Sequence, residues 1–522
     1  MRLLVTLLLL TAAASAADLY PVSGTVINNE TGRPFGGAHV AIRPQDRPNA
    51  DPKVLVAGPD GRFAFDLPAG TYDLHAGPRS AMEVYGQRTS RSPIATGVIV
   101  GPNLDTAHIV FRWLPLGAIF GTIVDSNGDP VENALVQLVI LRTNGGRRTA
   151  QTFRWERTDD RGEYRFGSIV GGTYYVAVTA QPWYAARAFS PGNSESASVA
   201  YAPVYYPNAA TPGQAEPLVL KAGGEAQADF ALHTVTGATI AVEFEPERPS
   251  VGNVSLIQDG ILGTDGFDRE QAVGRVSRFT AVPPGRYLLR FNGNASKGPA
   301  TASQIVDVNG SDLHVKLSLR APPRASGVVE WTGAAPRPRG TLYIGLWAEK
   351  PSMPGATAIV RPDGTFTLPP VVPGRYRVGV RLGAAIIRAT VRAEGVPMRD
   401  GFLDLSEDDT PTLRITADSS TGAVRGYVQH EGKPIDSVWV ILAPPGESPD
   451  WLNYRAYQTD SDGSFNFATV PTGDYLLFAV DDPDLEFTNP TAIRPYLISA
   501  HPAHIEAGKL IDDRLDILPT VR

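Results

Sequence analysis

The residue types able to do chemistry are present in this chain, but not at the spacings that chemistry needs. The eight histidines stand at 39, 75, 108, 233, 314, 430, 501 and 504. None belongs to an H-E-x-x-H pair, the i,i+4 arrangement that sets two imidazoles over one zinc ion. His501 and His504, the one close pair, fall in a Pro-containing segment and read as surface histidines. No Gly-x-Ser-x-Gly elbow exposes a serine nucleophile. No phosphate-cradling loop occurs either, since Gly432-Lys433 is followed by Pro434. Catalysis is therefore not expected, and no cofactor or metal is implied.

Two acidic loops resemble cation sites on paper. Asp125-Ser126-Asn127-Gly128-Asp129 alternates oxygen ligands as a calcium loop does, but Val136 stands where the bidentate Glu would be. Asn-Gly is also a common turn dipeptide, so this segment reads as a turn. Asp460-Ser461-Asp462-Gly463 reads the same way. The remaining candidates are aromatic. Trp183, Tyr184, Tyr201, Tyr205 and Tyr206 form one cluster; Trp451, Tyr454 and Tyr457 form another. Exposed rings of this kind stack on sugar faces, whereas buried ones cover a sandwich end or close a seam between domains. Both readings stand, and these eight residues are the candidate ligand-binding set.

The elements that carry these residues come from an internal repeat. Leu67-Pro68-Ala69-Gly70-Thr71-Tyr72 recurs as Ile169-Val170-Gly171-Gly172-Thr173-Tyr174, Val282-Pro283-Pro284-Gly285-Arg286-Tyr287, Val372-Pro373-Gly374-Arg375-Tyr376 and Val470-Pro471-Thr472-Gly473-Asp474-Tyr475. Successive copies are about 100 residues apart, the size of one small domain. Four copies carry an Asp-Gly or Asp-Arg-Gly turn before the alternating aromatics, as in Asp60-Gly61-Arg62-Phe63 and Asp462-Gly463-Ser464-Phe465. Gly accepts the positive φ of a tight hairpin, and alternate side chains then face one side of a sheet. Opening strands carry a Gly, at 24, 121, 327 and 426. The third copy is degenerate, with Thr239-Ile240-Ala241-Val242 there and no Asp-Gly turn. The repeated Tyr is expected to form a tyrosine corner, its ring in the core and its hydroxyl on backbone a few residues upstream.

No helical period persists over a dozen residues, although a short Pro-started turn near Arg494-Pro495-Tyr496-Leu497 fits the pattern. The expected fold is all-β, a tandem array of about five Ig-like or transthyretin-like β-sandwiches. The boundaries expected are 18–114, 115–234 (with a long aromatic insertion), 235–320 (degenerate), 321–417 and 418–522, after a leader over 1–17. Short linkers predict a semi-rigid array; placed end to end, five such domains would reach on the order of 170 Å.

Composition narrows the function classes. A formal charge of −7 without a basic run gives no nucleic-acid footprint. Met1-Arg2, the apolar run Leu3–Thr11 and Ala14-Ser15-Ala16 have the order of a cleavable signal peptide, shorter than a membrane span. The chain contains no cysteine, so an exported product must be stable on packing alone. The expected location is periplasmic, cell-surface or extracellular, with no transmembrane segment after cleavage.

Three phrases add a resemblance: Gly32-Arg33-Pro34-Phe35-Gly36-Gly37-Ala38-His39-Val40, Gly128-Asp129-Pro130-Val131-Glu132-Asn133-Ala134-Leu135-Val136 and Gly432-Lys433-Pro434-Ile435-Asp436-Ser437-Val438-Trp439-Val440. With the Asp-Gly-x-Phe turn and the Gly-x-Tyr strand, they resemble carboxypeptidase regulatory-like domains, which have a transthyretin-like, carbohydrate-binding-like fold. The resemblance implies an accessory role on exported proteins. The zinc motif of the associated peptidases begins His-x-x-Glu, and no histidine here has Glu three residues later. Adhesin repeats of related fold sometimes carry Lys–Asn cross-links, but the opening strands contain no lysine. The functional expectation is a non-catalytic exported binding or scaffolding protein, with glycans as the favoured ligand class and glycans or envelope proteins as partners. The alternatives are a spacer or surface adhesin, and a hydrolase working from loop carboxylates.

Overall fold

The computed structural model describes residues 18–87, 95–182, 199–272, 277–332, 340–350, 353–383, 385–446, 448 and 450–521. The proposed leader, together with Trp183 and Tyr184, lies outside the described residues. The fold is an array of β-sandwiches. Five principal cores draw their buried residues from 22–111, 119–232, 238–317, 325–417 and 424–515.

One topology recurs in all five. The opening strands are Leu19–Asn28, Leu116–Asp125, Ala238–Glu245, Ser326–Thr332 and Thr421–His430. Each pairs antiparallel with the strand after the hairpin turn and parallel with a closing strand. The second sheet centres on the strand that holds the repeated Tyr, for example Gly70–Gly77 and Gly473–Val480. In every copy that strand runs antiparallel to the one that follows the opening strand in sequence. Val98–Val100 pairs with the Tyr72 strand in the second sheet and so does not close the first. Ile109–Trp113 closes the first sheet instead.

The glycines of the opening strands answer to the parallel closing strand. A Cβ on Gly24 would stand 2.2 Å from the Ile109 carbonyl oxygen, and one on Gly426 would stand 1.8 Å from that of Asp513. The aromatic ring across the hairpin covers the space above, Phe63 over Gly24 and Phe465 over Gly426. In the degenerate third copy Ile240 takes this place, paired with Phe279, and the topology survives.

The five tyrosine corners have a common geometry. The hydroxyls of Tyr72, Tyr174, Tyr287, Tyr376 and Tyr475 donate to the carbonyls of Pro68, Val170, Pro283, Val372 and Pro471, at 2.9, 2.6, 2.8, 2.6 and 3.0 Å. Every acceptor lies four residues upstream. The bond closes the turn that carries the chain from one sheet to the other, and the buried ring fixes it to the core.

The fifth sandwich carries an addition. Pro490–Leu497 is an α-helix, longer than the turn expected around Arg494. Asn489 caps it by accepting the Thr491 N–H, and Pro490 starts it. Ile493 and Tyr496 face inward onto a second small core with Trp439, Phe478 and Phe487. Among the described residues, no helix is long and apolar enough to cross a membrane.

Candidate interdomain site

The fifth sandwich does not sit at the far end of a rod. Its hairpin and the strand before it dock on the first sandwich, more than 300 residues away in sequence. The Gly97 N–H donates to Asp460 Oδ1 at 3.1 Å, the Ile99 N–H to Ser461 Oγ at 3.0 Å, and the Ser461 N–H to the Gly97 carbonyl at 2.9 Å. Gln458 Nε2 reaches the Gly86 carbonyl and Thr96 Oγ1, while Thr96 Oγ1 meets Ser437 Oγ at 2.7 Å. The Tyr85 hydroxyl donates to Asp436. Thr96 and Thr459 are fully buried, and Gln458 and Asp460 nearly so. Buried polar groups need such partners, so the seam specifies one docked geometry rather than a greasy contact.

Burial sets the electrostatics here. Loss of water pushes the Asp460 carboxyl up to about 6, helped by nearby Asp462 and opposed by hydrogen bonds from Tyr457 and Gly97. Burial and the Asp460 charge together push the Tyr457 phenol above its ordinary range. Deeper in the first sandwich Glu83 accepts the Leu114 N–H, yet burial pushes its carboxyl up to about 7.

A second seam joins the fifth sandwich to the second. Gly146, at φ +74°, leaves room for the Phe487 ring, which a Cβ would meet at 2.6 Å. Thr488 Oγ1 donates to the Gly146 carbonyl at 2.7 Å, and Thr143 Oγ1 to that of Asp484. A third seam joins the fourth sandwich to both. Trp451 meets Trp347 edge-on at 5.9 Å, and the Arg147 guanidinium lies over the Trp451 ring at 5.4 Å. Arg147 also donates to the Glu349 carbonyl, and Arg377 pairs with Asp450. The fifth sandwich therefore touches the first, second and fourth, and the chain closes on itself. The end-to-end arrangement expected from the short linkers is replaced by this closure, because interdomain polar and aromatic contacts decide it and linker length does not.

The six aromatic candidates among the described residues fall on these seams and on cores. Tyr201 and Tyr205 are buried; Tyr201 belongs to the second core, and Tyr205 packs against Ala177 and Ile261 where the second sandwich meets the third. Tyr206 is half-buried against the second core. Tyr454 is buried, its hydroxyl donating to the Ser448 carbonyl. Trp451 and Tyr457 are half-buried, the first between sandwiches and the second on Asp460. These residues do not meet in one exposed groove.

The loop acids resolve in different ways. Asp125 Oδ1 accepts the N–H groups of Asn127 and Asp129, an Asx-type turn. Asp462 does the same for Ser464, which leaves Asp460 free to reach the first sandwich. Sequence reasoning missed Asp460 as a docking group. The available signal was a Ser at 461 where the first and fourth hairpins have Pro before Asp-Gly. His501 pairs with Asp513 and His504 with Asp474, so the two imidazoles engage separate carboxylates. Among the described residues no three His, Asp or Glu side chains converge as metal ligands. Among the described residues, one widely exposed indole is a ring the sequence did not single out: Trp155 is 61% exposed on the edge strand Arg147–Arg157, near the part-exposed Phe153.

Residues 118–233, within the second sandwich, match the family model of the carboxypeptidase regulatory-like domain. No curated protein matches the chain. Among solved structures the chain is similar to the Bacillus anthracis TIE protein, at 11% identity over 78% of this chain and 75% of that one, with a TM-score of 0.18. It is also similar to the major pilin subunit of Bacillus cereus, at 12% identity over 58% and 100%, with a TM-score of 0.15. Two B repeat units of the collagen-binding protein of Staphylococcus aureus match at 11% identity over 77% and 100%, with a TM-score of 0.13.

Proposed function

We propose that this chain is an exported, non-catalytic scaffold in which the fifth sandwich clasps the others into a closed frame. The single observation that carries this reading is the docking of residues 458–461 on residues 86–99, through buried and mutually satisfied polar groups. A frame closed in this way holds its outer loops and edges at fixed separations, which is what presentation to envelope proteins requires. The leader-like start of the sequence supports export, and the cysteine-free composition means that the exported product is stabilised by packing without disulfides. The domain boundaries proposed for the frame are 18–114, 115–234, 235–320, 321–417 and 418–522.

Glycan binding is the second reading, and one observation favours it: the exposed Trp155 on an edge strand, with Arg157 two residues on and so on the same face. A flat ring beside donors suits a sugar face. Polysaccharide pull-down with the full chain, Trp155→Ala and Trp451→Ala tests both. A scaffold without sugar contacts gives no retention of any of the three. Retention abolished by Trp155→Ala establishes the second reading. Retention abolished by Trp451→Ala with the frame intact contradicts the assignment of that ring to a seam.

A further inference from the structure

A cleft of about 640 Å³ lies between the fourth and fifth sandwiches. That is the size of a small-ligand pocket, and domain interfaces are where such pockets concentrate. One wall comes from the strand Ala385–Glu394, the other from Pro444, Pro445 and the Asp450–Tyr475 region, and the lining mixes apolar residues such as Ile386, Val391 and Pro445 with polar and charged ones. The charges do not balance. Arg377 is paired with Asp450, and Asp474 with His504 at 2.6 Å. Arg388 and Arg455 remain: among the described residues neither forms an ion pair, although Asp450, already paired with Arg377, acts on Arg455 from further off.

Both guanidiniums are held by backbone. Arg388 Nη1 donates to the Thr472 carbonyl at 2.7 Å, and Arg455 Nη1 to those of Leu452 and Tyr454. Each keeps further N–H groups for another acceptor, since a guanidinium carries five. Arg455 is half-buried, and loss of water holds its guanidinium below the ordinary arginine range. Both side chains line the cleft together with Tyr475, and both draw its phenol down against the rise that burial causes. Half-buried Arg455 shares its nearest carboxylate, Asp450, with Arg377, and an anion placed between Arg455 and Arg388 would offset the remaining cost of its burial. Planar, fixed N–H forks also suit the oxygens of carboxylate or phosphate better than a flexible ammonium does.

We propose that this cleft binds a small polar, oxyanion-bearing ligand, with Arg388 and Arg455 gripping its carboxylate or phosphate and the mixed polar and apolar lining taking the rest of the molecule. The assignment goes beyond the scaffold reading and does not depend on it.

Titration calorimetry on the full chain tests it with three probes: galacturonate, inorganic phosphate and neutral galactose. At least one anion is expected to bind with a Kd in the millimolar range or tighter, on the order of ordinary small-ligand affinities, while galactose does not bind. Galacturonate without phosphate marks the ligand as a sugar acid; phosphate without galacturonate marks it as a phosphate carrier. Arg388→Gln is expected to weaken binding about ten-fold without changing the unfolding midpoint, because that side chain is exposed. Arg455→Gln should weaken it at least as much, and its midpoint reports any loss of packing separately. Failure of both anions to bind, or binding that Arg388→Gln leaves unchanged, overturns the proposal.

Discussion

Replacing Asp460 with Asn should tighten the docking of the fifth sandwich on the first at neutral pH and leave it unchanged in acid. Asp460 is only 8% exposed when docked, and its carboxyl sits at about 6 instead of the ordinary 3.8. The docked state therefore binds a proton more tightly than the undocked one. The favourable contribution is complete below the undocked value and is lost as pH rises through about 6. A shift of roughly two units corresponds to about 3 kcal/mol, or a docking constant about 100-fold weaker at pH 8 than at pH 4. Asn keeps an oxygen for the Gly97 N–H and removes the charge that burial opposes. The cysteine-free chain makes the assay clean. Cysteines placed at exposed Glu30 and Glu431 carry spin labels, and pulsed dipolar spectroscopy in moderate urea counts docked molecules. The wild type should lose docking progressively as pH rises from about 4 to about 6 and stay looser above that, while the Asn variant should stay docked across the range. Wild-type docking that strengthens with rising pH, or an Asn variant that is looser at pH 8, would refute the reasoning.

Three further outcomes follow from the same geometry. Tyr174→Phe removes the hydroxyl bond to Val170 and should cost the second sandwich about 1–2 kcal/mol in urea unfolding, with the far-UV spectrum unchanged. Gly146→Ala puts a methyl against Phe487 at a positive φ; a loss of about 1–3 kcal/mol should appear as faster hydrogen exchange at Thr488, whose N–H bonds Gly146. Glu83→Gln should raise the melting temperature at pH 8 and not at pH 4, because burial of the carboxylate near pH 7 destabilises only its charged form.

The repeat was legible in the sequence because its determinants are local. Gly-x-Tyr, the Asp-Gly turn and the opening-strand glycine each act within a hairpin or on the next strand, so their spacing reported a sandwich per copy. Even the degenerate third copy kept Tyr287 and Phe279, the two rings that its core needs. What escaped sequence reasoning is contact between distant copies. Asp460 looks like any turn acid until the neighbouring Asp462 is seen to hold the turn, and an indole such as Trp451 reads alike on a surface or in a seam. The helix Pro490–Leu497 was visible only as a Pro-started turn, since eight residues are too few to display a period.

Closure is the central claim, and small-angle scattering of the chain from residue 18 onward measures it most directly. A compact particle of about 500 residues has a radius of gyration near 23 Å, and a five-domain frame with gaps should lie at roughly 25–32 Å. A rod of about 170 Å would instead give about 49 Å. Closure predicts the smaller value at pH 5, together with a distance distribution that ends well short of the rod's length. A radius near 49 Å under those conditions would contradict it.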